Sequence, residues 1–258
     1  MFSDGLLSAA AGFDYQRLLG EYALYDDGWP CRLVLKQHGD RLTAEFESYD
    51  RTEGLFAAVC AADPVLLHGF RLTVQDFNEV SHQVYRGYAF TRGVVGITGF
   101  TEWKGEPYGF FGRRHPPHTI GSPVPGTVVP SDFLGHYHLY CDGLHATVHL
   151  SSVEQGAVAV LTGSLCETTA PNALTSGGGG GLELPVRATV DAHVPYRIAL
   201  VVEGVVVPDT TPPPTMDLLM FSRPRTALAG SMRWGGTELG CYLTKYGRPD
   251  HRAANHTR

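Results

Sequence analysis

Leu134-Gly-His-Tyr-His-Leu-Tyr-Cys-Asp-Gly143 repeats a pattern already present at Leu19-Gly-Glu-Tyr-Ala-Leu-Tyr-Asp-Asp-Gly28. Both stretches read Leu-Gly-x-Tyr-x-Leu-Tyr-x-Asp-Gly and lie 115 positions apart. A second pattern, Phe-x-Arg followed by Gly and then by Trp-x-Gly-x-x-x-Gly, begins at Phe90 and again at Phe221, 131 positions apart. Because two widely spaced patterns recur in the same order, we interpret the chain as a tandem duplication.

The bulk composition is typical of a globular protein. The 258 residues are enough for two domains of roughly 110 residues each. Hydrophobic residues make up 43% and charged residues 18%, which excludes a disordered chain. The net charge of −6, without a sustained basic run, predicts no nucleic-acid partner. No apolar stretch approaches the length of a membrane span, so we expect no membrane partner. The N-terminus lacks a basic region and has Asp4 early, so we expect no signal peptide.

The cysteines and the absence of known catalytic motifs further limit the classes of protein to which this chain can belong. The five cysteines are an odd number without a Cys-x-x-Cys spacing, which indicates buried thiols in a reducing compartment and predicts a cytoplasmic protein. The chain contains no Gly-x-Ser-x-Gly, no His-Glu-x-x-His and no dinucleotide-binding glycine motif. We therefore assign no catalytic residue and expect no cofactor. The oligomeric state stays open.

Short apolar runs separated by Gly and Asp predict many strands. In the first copy these are 20–26, 30–37, 41–48, 55–60, 69–76, 83–91, 94–103 and 107–113. In the second copy they are 134–141, 144–151, 157–165, 182–190, 195–202, 204–207, 216–222, 226–234 and 238–244. This spacing predicts an all-β fold of two tandem antiparallel up-and-down β-barrels, because closure removes exposed sheet edges. A pair of sandwiches remains the alternative.

The repeats and a proline-rich stretch divide the chain into five segments. These are a lead-in of one or two amphipathic turns (1–18), a first barrel (19–114), a proline-rich linker (115–130), a second barrel (131–246) and a tail (247–258).

The Asp-Gly pairs predict the register of the first hairpin in each copy, because Asp-Gly is a strong signal for a two-residue hairpin turn. About Asp142-Gly143, His136 pairs with His149 and Tyr140 with His145. In both copies this register separates an apolar face from a polar one, as a half-buried sheet requires.

Histidines gather on the polar face of the second copy. Cross-strand neighbours approach within about 5 Å, close enough to share a metal. His136, His138 and His149 are therefore the candidate ligands. The first copy has no equivalent, and a solvated or inter-domain face is the favoured interpretation, so we assign no metal.

The closing strands place aromatic and cationic residues on shared faces. Trp103 and Trp234 are predicted to point inward. Arg92 and Arg223 each share a face with a phenylalanine two residues earlier. Such an arginine can be a lid stacked on an aromatic ring at the closed end of a barrel. It can also anchor the carboxylate, enolate or phosphate of a ligand.

Gly20-x-Tyr22 and Gly135-x-Tyr137 on a first strand, with an arginine on a late strand, resemble the Gly-x-Trp and closing arginine of the calycins. These are the lipocalins, fatty-acid-binding proteins and avidins. Tyrosine stands here where that family has tryptophan, and either Arg92 or Arg113 matches the closing arginine of the first copy. The resemblance implies eight-stranded meander barrels that hold a small, mostly apolar ligand in the lumen.

These observations lead to three functional hypotheses. The first is binding of a small hydrophobic or amphipathic molecule in a barrel lumen. The second is a cofactor-independent cyclase or isomerase acting on a natural-product-like intermediate, as in some calycin-like barrels, with catalysis by orientation. The third is a structural or protein-interaction module with filled barrels. The predicted ligand-binding residues are Tyr22, Trp29, Arg92, Trp103, Tyr137, Leu139, Arg223 and Trp234.

Overall fold

The structure is a computed structural model. It describes residues 14–39, 41–49, 54–63, 66, 68–75, 82–92, 96–114, 123–154, 159–167, 183–205 and 212–246. Most of the lead-in, the first half of the linker and the tail lie outside these ranges. No helix among the described residues is long and apolar enough to cross a membrane.

Within the described residues, each half of the chain has eight strands and one short 3-10 helix. The first half has the 3-10 helix Tyr15–Leu18 and strands β1 Gly20–Asp26, β2 Trp29–His38, β3 Arg41–Ser48, β4 Gly54–Ala62, β5 Gly69–Gln75, β6 His82–Ala89, β7 Gly96–Trp103 and β8 Glu106–Arg113. The second half has the 3-10 helix Pro130–Phe133 and strands β9 Gly135–Cys141, β10 Leu144–Glu154, β11 Val160–Glu167, β12 Glu183–Val190, β13 Arg197–Val202, β14 Thr215–Met220, β15 Ala227–Trp234 and β16 Thr237–Tyr246.

The strands close into two separate antiparallel barrels. In each, neighbours in sequence pair in order, and the last strand pairs with the first: β8 with β1, and β16 with β9. The prediction of two up-and-down barrels is confirmed, and the sandwich alternative is wrong.

The described part of one predicted strand, 204–207, is not extended. Residues 203–205 are irregular, and 206–207 lie outside the described residues. Gly204 has a φ of +73°, which takes the chain out of the extended conformation, and β13 ends at Val202 instead.

The Asp-Gly turns have the geometry that their sequence predicts. Asp27 and Gly28 have φ of +47° and +91°, and Asp142 and Gly143 have +40° and +87°. Positive φ at both central residues is the hairpin turn that matches strand twist. The predicted register is confirmed, with His136 opposite His149 and Cys141 opposite Leu144.

Each barrel has its own core, but the two are filled differently. The first contains large aromatic side chains, among them Phe46, Phe70 and Tyr85. The second is mainly aliphatic, with Leu139 and Val148 fully buried.

A tyrosine closes the same end of each barrel. Tyr22 donates its hydroxyl hydrogen to the Leu18 carbonyl at 2.8 Å, and Tyr137 donates to the Phe133 carbonyl at 2.8 Å. Both acceptors end the 3-10 helix that precedes the barrel, so the helix covers that end. The opposite end, where the Asp-Gly turn lies, is the mouth.

The barrels contact each other through equivalent aromatic residues. Phe111 stacks on Tyr242 with ring centroids 4.4 Å apart. Phe221 stacks on Phe111 at 5.5 Å, and Phe90 stacks on Tyr242 at 5.9 Å. Phe111 and Tyr242 occupy the same place in the two repeats, as do Phe90 and Phe221. The interface therefore has approximate two-fold symmetry.

The last glycine of each closing pattern permits this close approach. A Cβ on Gly109 would lie 3.1 Å from the Leu219 carbonyl oxygen of the other barrel. A Cβ on Gly240 would lie 2.6 Å from Tyr88 Cβ and from Thr98 Cγ2. The repeated glycines thus belong to the contact between the barrels.

Candidate ligand-binding site at the mouth of the first barrel

A cavity of about 370 Å³ lies at the mouth of the first barrel. Its walls come from the ends of several strands and from the β14–β15 loop of the second barrel. The lining residues are Asp26, Asp27, Trp29, Cys31, Ser48, Gln83, Trp103, Tyr108, Ser222 and Arg223. The connections 50–53 and 76–81, which join strands at this end, lie outside the described residues.

Asp26 is one of two acidic residues that the structure places in the cavity wall, the other being Asp27. Strand alternation turns Asp26 to the same face as Tyr22 and Leu24. Its Oδ2 accepts a hydrogen bond from the Tyr85 hydroxyl at 2.7 Å. Within the described part of the chain, Oδ1 accepts no hydrogen bond. Desolvation raises the pKa of this carboxyl to about 7, with the Tyr85 hydrogen bond opposing the shift and the negative charge of Asp27 adding to it.

Gln83 adds a second acceptor to the same wall. Its side chain is buried and donates from Nε2 to Thr101 Oγ1 at 3.0 Å. Its Oε1 is buried and has no hydrogen-bond partner among the described residues. An unsatisfied buried acceptor costs free energy, which a donor on a bound molecule would recover.

Two tryptophans supply the apolar walls. Trp29 and Trp103 are both partly exposed at the mouth. The Arg223 guanidinium lies over the Trp29 ring at 3.7 Å from its centroid, a close cation–π contact. Arg223 thus extends from the second barrel and forms part of the cavity wall of the first.

The Asp27 carboxylate binds the β14–β15 loop that carries Arg223. Asp27 accepts hydrogen bonds from both the backbone N–H and the hydroxyl of Ser222. Burial raises the pKa of Asp27 to about 6, while these hydrogen bonds and the charge of Arg223 oppose the shift. Asp142 makes the reciprocal contact, because it accepts from the Thr91 backbone N–H, the Thr91 hydroxyl and the Arg92 backbone N–H.

The prediction that Arg92 and Arg223 share a strand face with the phenylalanine two residues earlier is wrong. Strands β6 and β14 end at Ala89 and Met220. Arg92 and Arg223 therefore lie in the loops beyond them. There, the Asp-Gly turn of the other barrel packs against them instead of their own lumen.

In the second barrel, the described residues at the positions of Asp26 and Tyr85 are both buried. Asp26 corresponds to Cys141, which is fully buried beside Met232 with a sulfur–sulfur distance of 3.5 Å. Tyr85 corresponds to Met216, also buried. The gap beside Arg92 has a volume of only about 10 Å³.

The structure separates the predicted ligand-binding residues into two groups. Trp29, Trp103 and Arg223 lie together around the cavity. The others lie elsewhere: Tyr22 and Tyr137 at the closed ends, Leu139 and Trp234 in the second core, and Arg92 beside Gly143.

The predicted histidine patch is an aromatic stack on the outside of the second barrel. His136 and His149 stack with ring centroids 3.9 Å apart, and His138 stacks on Tyr246 at 4.1 Å. Among the residues that the structure describes, no group of three His, Cys, Asp or Glu side chains is placed to hold a metal ion.

Comparison with protein-family models, curated proteins and solved structures finds no match for this chain. The cavity is therefore interpreted from its own chemistry.

The sequence analysis did not identify Asp26, Tyr85 or Gln83. One signal was available for Asp26: the predicted hairpin register already pairs it with Trp29, on the face of Tyr22 and Leu24. This signal for Asp26 is easily missed, because the adjacent Asp27-Gly28 pair indicates a turn and accounts for an acidic residue there.

Proposed function

We propose that this protein binds a small amphipathic molecule at the mouth of its first barrel. The observation that carries the proposal is the difference between two equivalent positions. Asp26, which accepts a hydrogen bond from the buried Tyr85, lines a cavity of about 370 Å³, whereas its counterpart Cys141 is buried beside Met232 in the second core. Only one mouth thus combines open volume, aromatic walls and unpaired polar groups.

The cavity chemistry supports an amphipathic occupant. Small-molecule sites are mostly apolar with a few placed polar groups that fix orientation. Trp29 and Trp103 would contact the apolar body of the ligand. Asp26 Oδ1 and Gln83 Oε1 would accept hydrogen bonds from its polar end. The calycin-like character of the barrels is part of this proposal.

The cellular location of the protein and the origin of its two barrels are also part of the proposal. All five cysteines are free thiols, which supports a reducing cytoplasmic location. The equivalent aromatic contacts across the interface support the origin of the barrels by duplication.

Native mass spectrometry tests this function on the full chain, isolated without detergent from the cells that make it. We expect an additional mass that is lost on denaturation. Trp103→Leu should lose that mass, because Trp103 forms a wall of the cavity. The matched control is Trp234→Leu, at the equivalent position of the filled barrel, which should retain it. A bare chain mass, or equal loss in both variants, would argue against the proposal.

A cofactor-independent isomerase or cyclase is the second candidate. It is favoured by the position of Asp26 in the cavity wall, where Tyr85 holds one carboxyl oxygen and desolvation raises the pKa to about 7. A general base works best when its pKa lies near the working pH. Asp26 would remove a proton through Oδ1, while Tyr85 holds the other oxygen.

Asp26→Asn distinguishes this enzyme from a carrier. The amide can still accept the Tyr85 hydrogen bond but cannot accept a proton from a substrate. The bound molecule is first identified by mass spectrometry. If the protein is an enzyme, Asp26→Asn should bind this molecule and leave it chemically unchanged, whereas the parent protein should convert it. Recovery of the same unaltered molecule from both proteins would favour the carrier.

A further inference from the structure

Three charged side chains line the cavity: Asp26, Asp27 and Arg223. Asp27 accepts two hydrogen bonds from Ser222 and is stabilised by the charge of Arg223. Arg223 in turn lies over Trp29. Asp26 has only the neutral Tyr85 hydroxyl. Of the two carboxylates, Asp26 is therefore the one that has no cationic partner among the described residues.

Two hydrogen-bond acceptors of the cavity wall receive no hydrogen bond from the described residues. Asp26 Oδ1 has no donor among the described residues, and Gln83 Oε1 is buried without one. Tyr85 donates to the other oxygen of Asp26, and Gln83 Nε2 donates to Thr101. A complementary head group must therefore bring its own N–H or O–H donors.

We infer that the head group bound at this site is a protonated amine, with its N–H groups directed to Asp26 and Gln83. This inference rests on the proposed binding function and specifies the class of its ligand. An ammonium group supplies three donors and one positive charge. It therefore satisfies both acceptors and neutralises Asp26.

Competing head groups fit less well. A carboxylate or phosphate would bring a further negative charge next to Asp26 and would offer no donor. A hydroxyl would satisfy one acceptor but would leave the Asp26 charge uncompensated. Ammonium–carboxylate hydrogen bonds are roughly twice as strong as neutral ones. The aromatic walls also tolerate cations, since Lys104 lies over Trp103 at 5.5 Å.

Binding of an ammonium group should be linked to proton release. The groups that face Asp26 are Tyr85 from β6, Asp27 from the turn, Tyr108 from β8 and Arg223 from the second barrel. An added positive charge within hydrogen-bond distance favours the carboxylate. Below a pH of about 7, where Asp26 is protonated, binding must therefore displace its proton.

The test uses two probes of the same shape, 4-phenylbutylamine and 4-phenylbutan-1-ol, titrated calorimetrically into the full chain at pH 8 and pH 6. We expect the amine to bind at least about tenfold more tightly than the alcohol at pH 8. Its affinity should fall by about tenfold at pH 6, because one unit below the pKa about a tenth of a carboxyl is ionised. At pH 6 the heat should vary with the ionisation enthalpy of the buffer.

Asp26→Asn should reduce the affinity for the amine to that for the alcohol. Glu102→Gln is the matched control, since it removes one carboxylate from the exposed side of β7 beside Trp103, and it should leave both affinities unchanged. Equal affinities for the two probes, or amine binding that survives Asp26→Asn at pH 8, would overturn the ammonium assignment and leave the binding function standing. Failure of both probes to bind would contradict both.

Discussion

Asp27, in the first hairpin turn of one barrel, accepts two hydrogen bonds from Ser222 in a loop of the other, 195 positions away in sequence. Asp142 makes the equivalent contact with Thr91. The turn of each repeat is thus fastened to the Phe-x-Arg loop of its counterpart. The two patterns that reveal the repeat in the sequence are therefore the two sides of a reciprocal contact.

Removal of either carboxylate should weaken the docking of the barrels. Asp142→Ala leaves three donors without their acceptor and should lower the free energy of unfolding by about 1–3 kcal/mol, the cost of buried unsatisfied donors. Urea denaturation followed by circular dichroism measures the change. In a cycle with Thr91→Ala, the effects should be non-additive, because the two residues share hydrogen bonds. Strict additivity would contradict the contact.

Gly28 should be intolerant of a side chain. Its φ is +91°, and an added Cβ would lie 2.5 Å from Pro224 Cδ of the other barrel. Gly105 is the matched control, because its φ is +87° and an added Cβ would have no neighbour within 4 Å. Both alanine variants carry the strain of positive φ, so Gly28→Ala should cost about 1–3 kcal/mol more for the overpacked contact. Equal losses in urea denaturation would show that the turn does not pack against the second barrel.

Asp26 should make the stability of the protein depend on pH. Its folded-state pKa of about 7 is above the value of an exposed Asp, so the folded state binds the proton more tightly than the unfolded state. Stability attributable to this group is therefore complete at pH values below about 4 and falls as pH rises toward 7. Asp26→Asn should be more stable than the parent at pH 8, by an amount on the order of a few kcal/mol.

At pH 4 the same substitution should have little effect, because the parent carboxyl is already neutral there. Thermal unfolding of both proteins across this range gives the comparison. A variant that is less stable than the parent at pH 8 would indicate that the Asp26 carboxylate has a cationic partner.

Arg223 should shield Trp29 from solvent. Arg223→Ala removes the guanidinium that lies 3.7 Å over the ring, so acrylamide should quench tryptophan fluorescence more strongly. Arg92→Ala is the control at the equivalent position, where the residue in place of Trp29 is Leu144. Quenching that rises equally in both variants would point to general loosening of the barrels.

The hairpins were predictable because their determinants are local. The Asp-Gly turn and the alternation that follows Tyr22 and Tyr137 are enough to specify register and inward face. The contact of Asp27 with Ser222 was not predictable in this way, because it depends on how two finished barrels fit together. The contacts of Tyr25 with Phe111 and of Tyr140 with Tyr242 at the interface were unpredictable for the same reason.

The cavity was only partly predictable. Trp29 and Trp103 belong to the inward face by alternation alone. Arg223 reaches the cavity of the other barrel, and no pattern within one repeat contains that information. The residues at the positions of Asp26 and Tyr85 in the second barrel are Cys141 and Met216, and both are buried.

The most direct test of the central claim uses the three tryptophans of the chain as reporters in fluorine NMR after 5-fluorotryptophan labelling. Trp29 and Trp103 line the cavity, and Trp234 belongs to the filled barrel. On titration with 4-phenylbutylamine and, separately, 4-phenylbutan-1-ol, binding at the mouth of the first barrel predicts saturable shifts of the Trp29 and Trp103 resonances with that of Trp234 unchanged. Three resonances that stay still with both probes, or a shift confined to Trp234, would contradict it.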